Sequence, residues 1–297
     1  MKSEAIEWYD HYEHNRERTV YTNEQSGIPG LRVFAYESTS RATASLQLHY
    51  HPDCFEFCYV VQGSLWFFAK GKKNSISGGD MFFTYPNEEH STGDLPMNLH
   101  QMYWFQLDVS DPDNFLFLKP EAAKALIRNL MSLTNRVVSM EKDTGILLAD
   151  ILSNIAAGTE LGRFLASTSV CYVLGTILKR DQAPVYRLTP DIGKAVEYIL
   201  DNIQDDLELE ELARISLLSV SRFKQKFTTQ IGTSPRSFIN FYKIEAAKEM
   251  LDSGMSVTDT AMELNFSSSN YFSAVFRRYT SCSPTEYREQ AQQKQQK

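Results

Sequence analysis

The sequence predicts an α+β chain of two domains: a β-barrel with a helical segment behind it, then an all-α domain with two helix-turn-helix units. Three observations predict this. From about Tyr21 to Val109 the chain reads as many short strands with turn formers between them. From Lys119 the apolar residues recur at helical spacing instead. In the last third, five positions recur in one register. Phe223, Phe227, Ser234, Pro235 and Phe238 are matched by Phe272, Phe276, Ser283, Pro284 and Tyr287, each pair 49 residues apart. A constant offset of this kind marks an internal duplication.

Whole-chain properties narrow the function classes. At 297 residues and 34.0 kDa, two domains are expected. No run of about 18 apolar residues is apparent, so no membrane span is expected. The start, MKSEAIEWYD, is acidic and lacks the apolar core of a signal peptide. Cys54, Cys58, Cys171 and Cys282 form no metal-type CxxC pair, disulfides are not expected, and a reducing cytoplasm fits. No catalytic triad, phosphate-binding glycine loop or nucleotide fingerprint stands out. The net charge is −7, and from Pro190 on there are 13 basic and 15 acidic residues, a balance of −2. Nucleic-acid binding would therefore rest on local patches. Arg222, Lys224, Lys226 and Arg236 make one patch, and Arg277 and Arg278 another.

Met1 to Val20, with Trp8, Tyr9, His11, Tyr12 and His14, reads as a short helix or an arm. Leu46 and Leu48 then alternate with polar residues. Phe57–Val61 and Ser64–Ala69 are rich in β-formers and meet at Gln62-Gly63, which reads as a turn. Gly71–Asn74 is a hairpin turn, and Met81–Tyr85 and Leu99–Leu107 are further strands.

This stretch holds His49, His51, Glu56, Gly63, Pro86 and His90. Two imidazoles two apart on a strand share a face. The spacing His-x-His, four residues, Glu, six residues, Gly resembles the first motif of the cupin barrel. The second motif is met at Pro86 and His90, but Glu88 replaces its usual Gly. Three readings follow. His49, His51, Glu56 and His90 line a pocket for a small polar ligand such as a sugar, with Trp66 and Tyr103 among the aromatic walls. Alternatively, the same four side chains hold a divalent metal. In the third reading they are structural.

Lys119 to Arg180 reads as helical throughout. Ala122, Ala123, Leu126, Ile127 and Leu130 make one stripe, and Ile146–Ile155 and Leu161–Leu178 follow. Phe164, Val170, Val173, Leu174, Ile177 and Leu178 spread over more than one face, so this helix packs on its own barrel or on a second subunit. Residues 181–190, with prolines at 184 and 190, read as a linker. Ile192, Val196, Ile199 and Ile203 then give the next helix one apolar stripe.

In each repeat a helix buries phenylalanines on one side and turns small polar and basic groups outward, which suits a DNA major groove. Arg187 to Arg288 resembles the paired helix-turn-helix units of AraC/XylS-type transcription regulators. The first unit is carried by Leu212-Ala213, Ser219, Ser221, Phe223, Phe227, Gly232, Ser234-Pro235, Phe238, Ala247 and Leu251. The second is carried by Ala261, Phe266, Ser268, Tyr271-Phe272, Phe276, Arg277-Arg278, Ser283-Pro284 and Tyr287-Arg288. Asn265 and Ser281 stand where that family usually has Gly, and Ala274 where a longer side chain is common. The plainer alternative is two amphipathic hairpins in an ordinary helical domain.

The resemblance implies a ligand-responsive transcription regulator with no catalytic residues and no obligatory cofactor. Its implied organisation is a sensing barrel with N-terminal arm over 1–110, a dimerising helical segment over 111–180, a linker over 181–190 and the DNA-binding domain over 191–297. Ser221, Lys224 and Gln225 are expected at base edges in one major groove, and Ser269, Asn270 and Ser273 in the next. Arg222, Lys226, Arg277 and Arg278 are expected at phosphates. The implied partners are double-stranded DNA, a small-molecule effector, a second copy of the chain, and RNA polymerase if it activates. A metal-dependent cupin enzyme with a helical appendage is the rival from another class. A DNA binder whose barrel only dimerises is a third.

Overall fold

The computed structural model describes residues 5–93, 96–141, 143–181 and 188–295, the last six of them by backbone alone. The chain divides into two compact units. One comprises 1–39, 45–94 and 100–186, and the other 40–44, 95–99 and 187–297.

The first unit is rich in sheet. Its strands are β1 (Ile6–Glu7), β2 (Glu13–His14), β3 (Arg18–Thr22), β4 (Leu31–Ser38), β5 (His49–Tyr50), β6 (Cys54–Ala69), β7 (Lys72–Ser77), β8 (Asp80–Thr84), β9 (His90–Ser91), β10 (His100–Asp108) and β11 (Val137–Ser139), with a one-turn helix α1 (Asn23–Ser26) between β3 and β4. The pairing path runs β1-β5-β9-β6-β10-β4-β3-β2, while β7 and β8 pair with β6 and β11 extends β8. The long strand β6 holds the unit together. Its first half pairs with β10 and β8, and its second half with β7 and β9.

Alternation along β6 separates two environments. Phe55, Phe57 and Tyr59 point to the helices, where they share a core with Phe34, Phe105, Leu148, Val170 and Leu174. Full burial of each such side chain contributes about 1.5–3 kcal/mol. Glu56, Cys58 and Val60 point the other way. That face also receives Phe82, in register with Cys58, and Phe67, whose ring stacks on Phe82 at 4.7 Å. The helices are α2 (Pro120–Met131), α3 (Thr144–Ala156) and α4 (Glu160–Asp181).

Four sequence expectations are corrected. Of the helix or arm expected at the N-terminus, the helix is not found among the described residues: three short strands lie there, and β1 pairs parallel with β5. Gln62-Gly63 is no turn: β6 runs through it, and Gly63, at φ 103°, bends the strand from one sheet to the other. The stretch after Lys119 is not all helical, because Val137–Ser139 finds the open edge of β8. Finally, α4 is apolar and long enough to cross a membrane by length and composition alone. Its apolarity has another cause, since Ala166, Val170, Val173, Leu174 and Ile177 are buried in the core shared with the sheet. Of the expected linker, 182–187 lies outside the described residues.

The second unit contains α5 (Pro190–Asp201), α6 (Leu209–Ile215), α7 (Val220–Ile231), α8 (Pro235–Asp252), α9 (Val257–Glu263), α10 (Ser269–Thr280) and α11 (Pro284–Gln295). The repeat is visible in the helix ends. Ser219, Ser234, Ser256 and Ser268 each accept a hydrogen bond from the backbone N–H three residues on. Such caps contribute about 1 kcal/mol apiece. Gly232 and Ser281, 49 apart, close α7 and α10 with left-handed backbone (φ 75° and 63°). Asn265 takes φ 49° in the turn of the second unit, so it does the work of the usual Gly there. Each unit has its own core. Phe223, Phe227 and Phe238 join Ile192 and Ile199 in the first, and Phe272 and Phe276 join Leu251 and Leu264 in the second.

Candidate functional site

The sheet brings His49, His51, Glu56 and His90 together. His49 on β5 pairs in register with His90 on β9, and Glu56 comes from β6. All four are buried, and one potential ligand atom from each lies within 4.8 Å of the others. Glu56 bridges two imidazoles, with Oε1 3.1 Å from His51 Nε2 and Oε2 3.1 Å from His90 Nε2. The His49 and His90 ring centres are 4.2 Å apart.

The outer nitrogens are all engaged. Nδ1 of His49 meets the Gln47 carbonyl at 2.6 Å, Nδ1 of His90 the Glu88 carbonyl at 2.9 Å, and Nδ1 of His51 the Trp8 carbonyl at 3.1 Å. A carbonyl can only accept, so Nδ1 carries the proton in each ring. Nε2 is then left as a lone pair facing inward. A carboxylate facing such nitrogens needs a positive charge between them, whether protons or a metal ion. The electrostatics agree. Burial alone would raise the Glu56 carboxyl, but the charges and hydrogen bonds of His51 and His90 outweigh it and hold it well below the carboxylate range. Burial opposes charge on His51, yet Glu56 outweighs that and raises it. His49, with burial and the neighbouring His90 against it, falls to about 4. The residues therefore fit a divalent cation: three imidazole nitrogens and one carboxylate, each oriented from behind.

Sequence reasoning missed several neighbours. Gln106 on β10 donates through Nε2 to Glu56 Oε1 at 3.2 Å and to Asp10 Oδ2 at 3.1 Å. The indole of Trp8 lies 5.5 Å from His49. The available signal was an amide, Gln106, inside the apolar run of Met102–Leu107. Glu88, the departure from the second cupin motif, is also explained. Its carboxylate takes both Nη groups of Arg136 at 2.5 and 2.6 Å and the Tyr85 N–H at 2.9 Å, which fixes the turn that presents His90.

Two expected pocket residues lie elsewhere. Tyr103 sits three positions from Gln106 on β10 and so faces the helical side, where it packs on Tyr36 and Phe34. Trp66 alternates with the buried Leu65 and Phe67, and its opposite face carries Lys73 Nζ at 3.6 Å from the ring centre.

In the helical unit, Ser221, Lys224 and Gln225 lie together on the exposed side of α7. On α10, Asn270 is exposed, and Ser269 and Ser273 are half-buried on the same side. Arg222, Arg277 and Arg278 are exposed. Lys226 differs from expectation: its Nζ lies 2.5 Å from Asp191 Oδ2 at the start of α5, and that bond chiefly lowers the Asp191 carboxyl to about 2. Lys226 therefore ties α7 to α5 in this structure.

The AraC-like ligand binding domain matches residues 33–147, the stretch containing the histidine cluster. A helix-turn-helix domain matches residues 212–290. This chain belongs to the AraC/XylS-type family of transcription regulators. Among similar proteins is an uncharacterized HTH-type transcriptional regulator of Haemophilus influenzae, 24% identical over 253 residues, 78% of this chain and 85% of that one. Another is the HTH-type transcriptional activator RhaS of an Enterobacter species, 24% identical over 259 residues, 81% of this chain and 87% of that one. The DNA-binding domain of AdpA, solved with a target DNA, is 22% identical over 37% of this chain and 99% of that domain. The TM-score is 0.35. The AraC/XylS-type assignment gives the chain a ligand-binding N-terminal domain and a DNA-binding C-terminal domain, and it points away from the rival cupin enzyme.

Proposed function

We propose that the regulator senses through the histidine cluster, and that this site takes a divalent cation of the Fe²⁺, Mn²⁺, Ni²⁺ or Zn²⁺ type. One observation carries the reading: three Nδ1 atoms are committed to carbonyls while three Nε2 atoms and Glu56 converge. His49, His51 and His90 would each give Nε2, and Glu56 its carboxylate. Such an ion supplies the positive charge that this donor set lacks. Gln106 holds the carboxylate, and Arg136 holds the turn of His90 through Glu88. Occupancy then shifts the population between arrangements that bind DNA differently.

A second reading, a small polar effector such as a sugar, has its own support. Gln106 Oε1 and Thr84 Oγ1 are buried without a hydrogen-bond partner, and Thr84 pairs in register with Glu56. Ligand hydroxyls would supply those partners. The aromatic walls expected for a sugar are weakened by the places of Trp66 and Tyr103.

The regulator acts as a dimer in this proposal. Leu161, Phe164, Leu165 and Tyr172 make an exposed apolar stripe on α4, at 42–66% exposure, beside Ile146 of α3. A stripe of this kind suits a second copy. The reading places the protein in the cytoplasm, where its four cysteines stay as thiols, with RNA polymerase as a further partner if it activates.

The test is the metal content of the purified full-length protein by mass spectrometry. About one equivalent per chain is expected, lost in His49→Ala and His90→Ala. Metal-free protein whose unfolding midpoint rises with one of a panel of sugars would overturn the cation and support the polar effector.

A further inference from the structure

The two helix-turn-helix units have separate cores, and the boundary falls on α8 between Ile239 of the first and Ile244 of the second. Lys243 stands at that boundary, 6% exposed. Its Nζ donates to the Asp205 carbonyl at 2.9 Å, in the loop between α5 and α6, and to the Leu264 carbonyl at 2.6 Å, which closes α9. One ammonium thus ties a loop of the first unit to the turn of the second. The next residue of that turn makes a parallel tie: Asn265 Nδ2 donates to the Gln204 carbonyl at 2.8 Å. Residues 204–205 are therefore fastened to residues 264–265 from both sides.

We propose that Lys243 and Asn265 are positioning residues that lock the two helix-turn-helix units in one orientation and so set the spacing between the two DNA segments the chain accepts. A single helix such as α8 can twist and bend, so it defines the distance between α7 and α10 better than their relative angle. Two side-chain ties across the boundary remove that freedom. Asn265 suits both tasks. It takes the left-handed backbone of the turn, as Gly would, and it adds an amide that Gly lacks. The inference needs only DNA binding by the helical unit and is independent of what the barrel holds.

The variants follow from the geometry. Asn265→Gly keeps the turn and removes the amide. Lys243→Met keeps the buried stem and removes the donors. The full-length protein is first used to select a bound sequence from random duplex DNA. Spacer variants of that sequence, with one or two base pairs inserted between the contacted segments, are then titrated by fluorescence anisotropy. Each inserted pair moves the segments apart by about 3.4 Å and rotates them by about a tenth of a turn. The wild type should lose about 10–100-fold in affinity on insertion. Asn265→Gly and the double variant should recover about tenfold of that loss at one or more shifted spacings, which a loss of stability alone would not produce. The proposal is overturned if Asn265→Gly keeps the wild-type spacing profile, or if it weakens every spacing by one common factor. A selected site contacted in a single groove would overturn it as well. Should Lys243→Met fail to fold, Asn265→Gly alone decides.

Discussion

Asp181, the last residue of α4, is held by the backbone and side chains of Thr134 and Asn135. Burial would raise its carboxyl, but those hydrogen bonds outweigh it and keep the group below its ordinary 3.8. A carboxyl depressed by folding stabilises the protein above its unfolded value, and that stability is lost as pH falls through the folded value. Asp181→Asn should therefore flatten the acid side of the unfolding midpoint below pH 3.8. An unchanged acid limb would show that these bonds do not survive in solution. On the DNA side, Lys224→Ala or Gln225→Ala should cost about 1–3 kcal/mol and relax preference at one base pair. An unchanged ratio of specific to scrambled binding would remove α7 from base readout. At this scale the histidine cluster was legible because His49 and His51 lie two apart and the spacing on to Glu56, with Pro86 and His90 later, resembles the cupin motifs. Asp10 and Gln106 were not, since they meet across 96 residues of chain. Trp66 and Tyr103 were misplaced because an aromatic side chain reads alike on either face of a strand. Only the bend at Gly63 phases the second half of β6.

Among the elements, the packing of α3 on α4 depends on Gly162. A Cβ there would sit 2.5 Å from the backbone oxygen of Asn154 near the end of α3. Gly162→Ala should force the two helices apart and cost about 1–3 kcal/mol, read as a fall in the thermal midpoint. A neutral result would mean the hairpin is looser in solution. The paired helix-turn-helix pattern of the second unit was legible because its proline starts and paired phenylalanines repeat at one offset. The three-residue strand β11 was not, because so short a segment between helices has no period of its own. It is specified by the open edge of β8.

For the whole molecule, the two-domain organisation was legible in the 49-residue repeat of the last third and the proline-flanked stretch before it, whereas the change of apolar period after Lys119 falls inside the first unit. The proposed dimer rests on the outer stripe of α4. Phe164→Glu should convert it to a monomer by sedimentation at micromolar concentration, whereas a variant that remains dimeric would move the interface elsewhere. In the proposed mode of action, occupancy of the barrel cluster changes DNA binding. Its most direct test is the DNA affinity of chelator-stripped protein against protein reloaded with Zn²⁺, Mn²⁺, Ni²⁺ or Fe²⁺, on a selected site, for wild type and Glu56→Gln. One of these ions should change the affinity of the wild type by about 5–150-fold, the usual range of coupling between sites, and leave Glu56→Gln unchanged. Equal affinity with and without every ion in the wild type would contradict it.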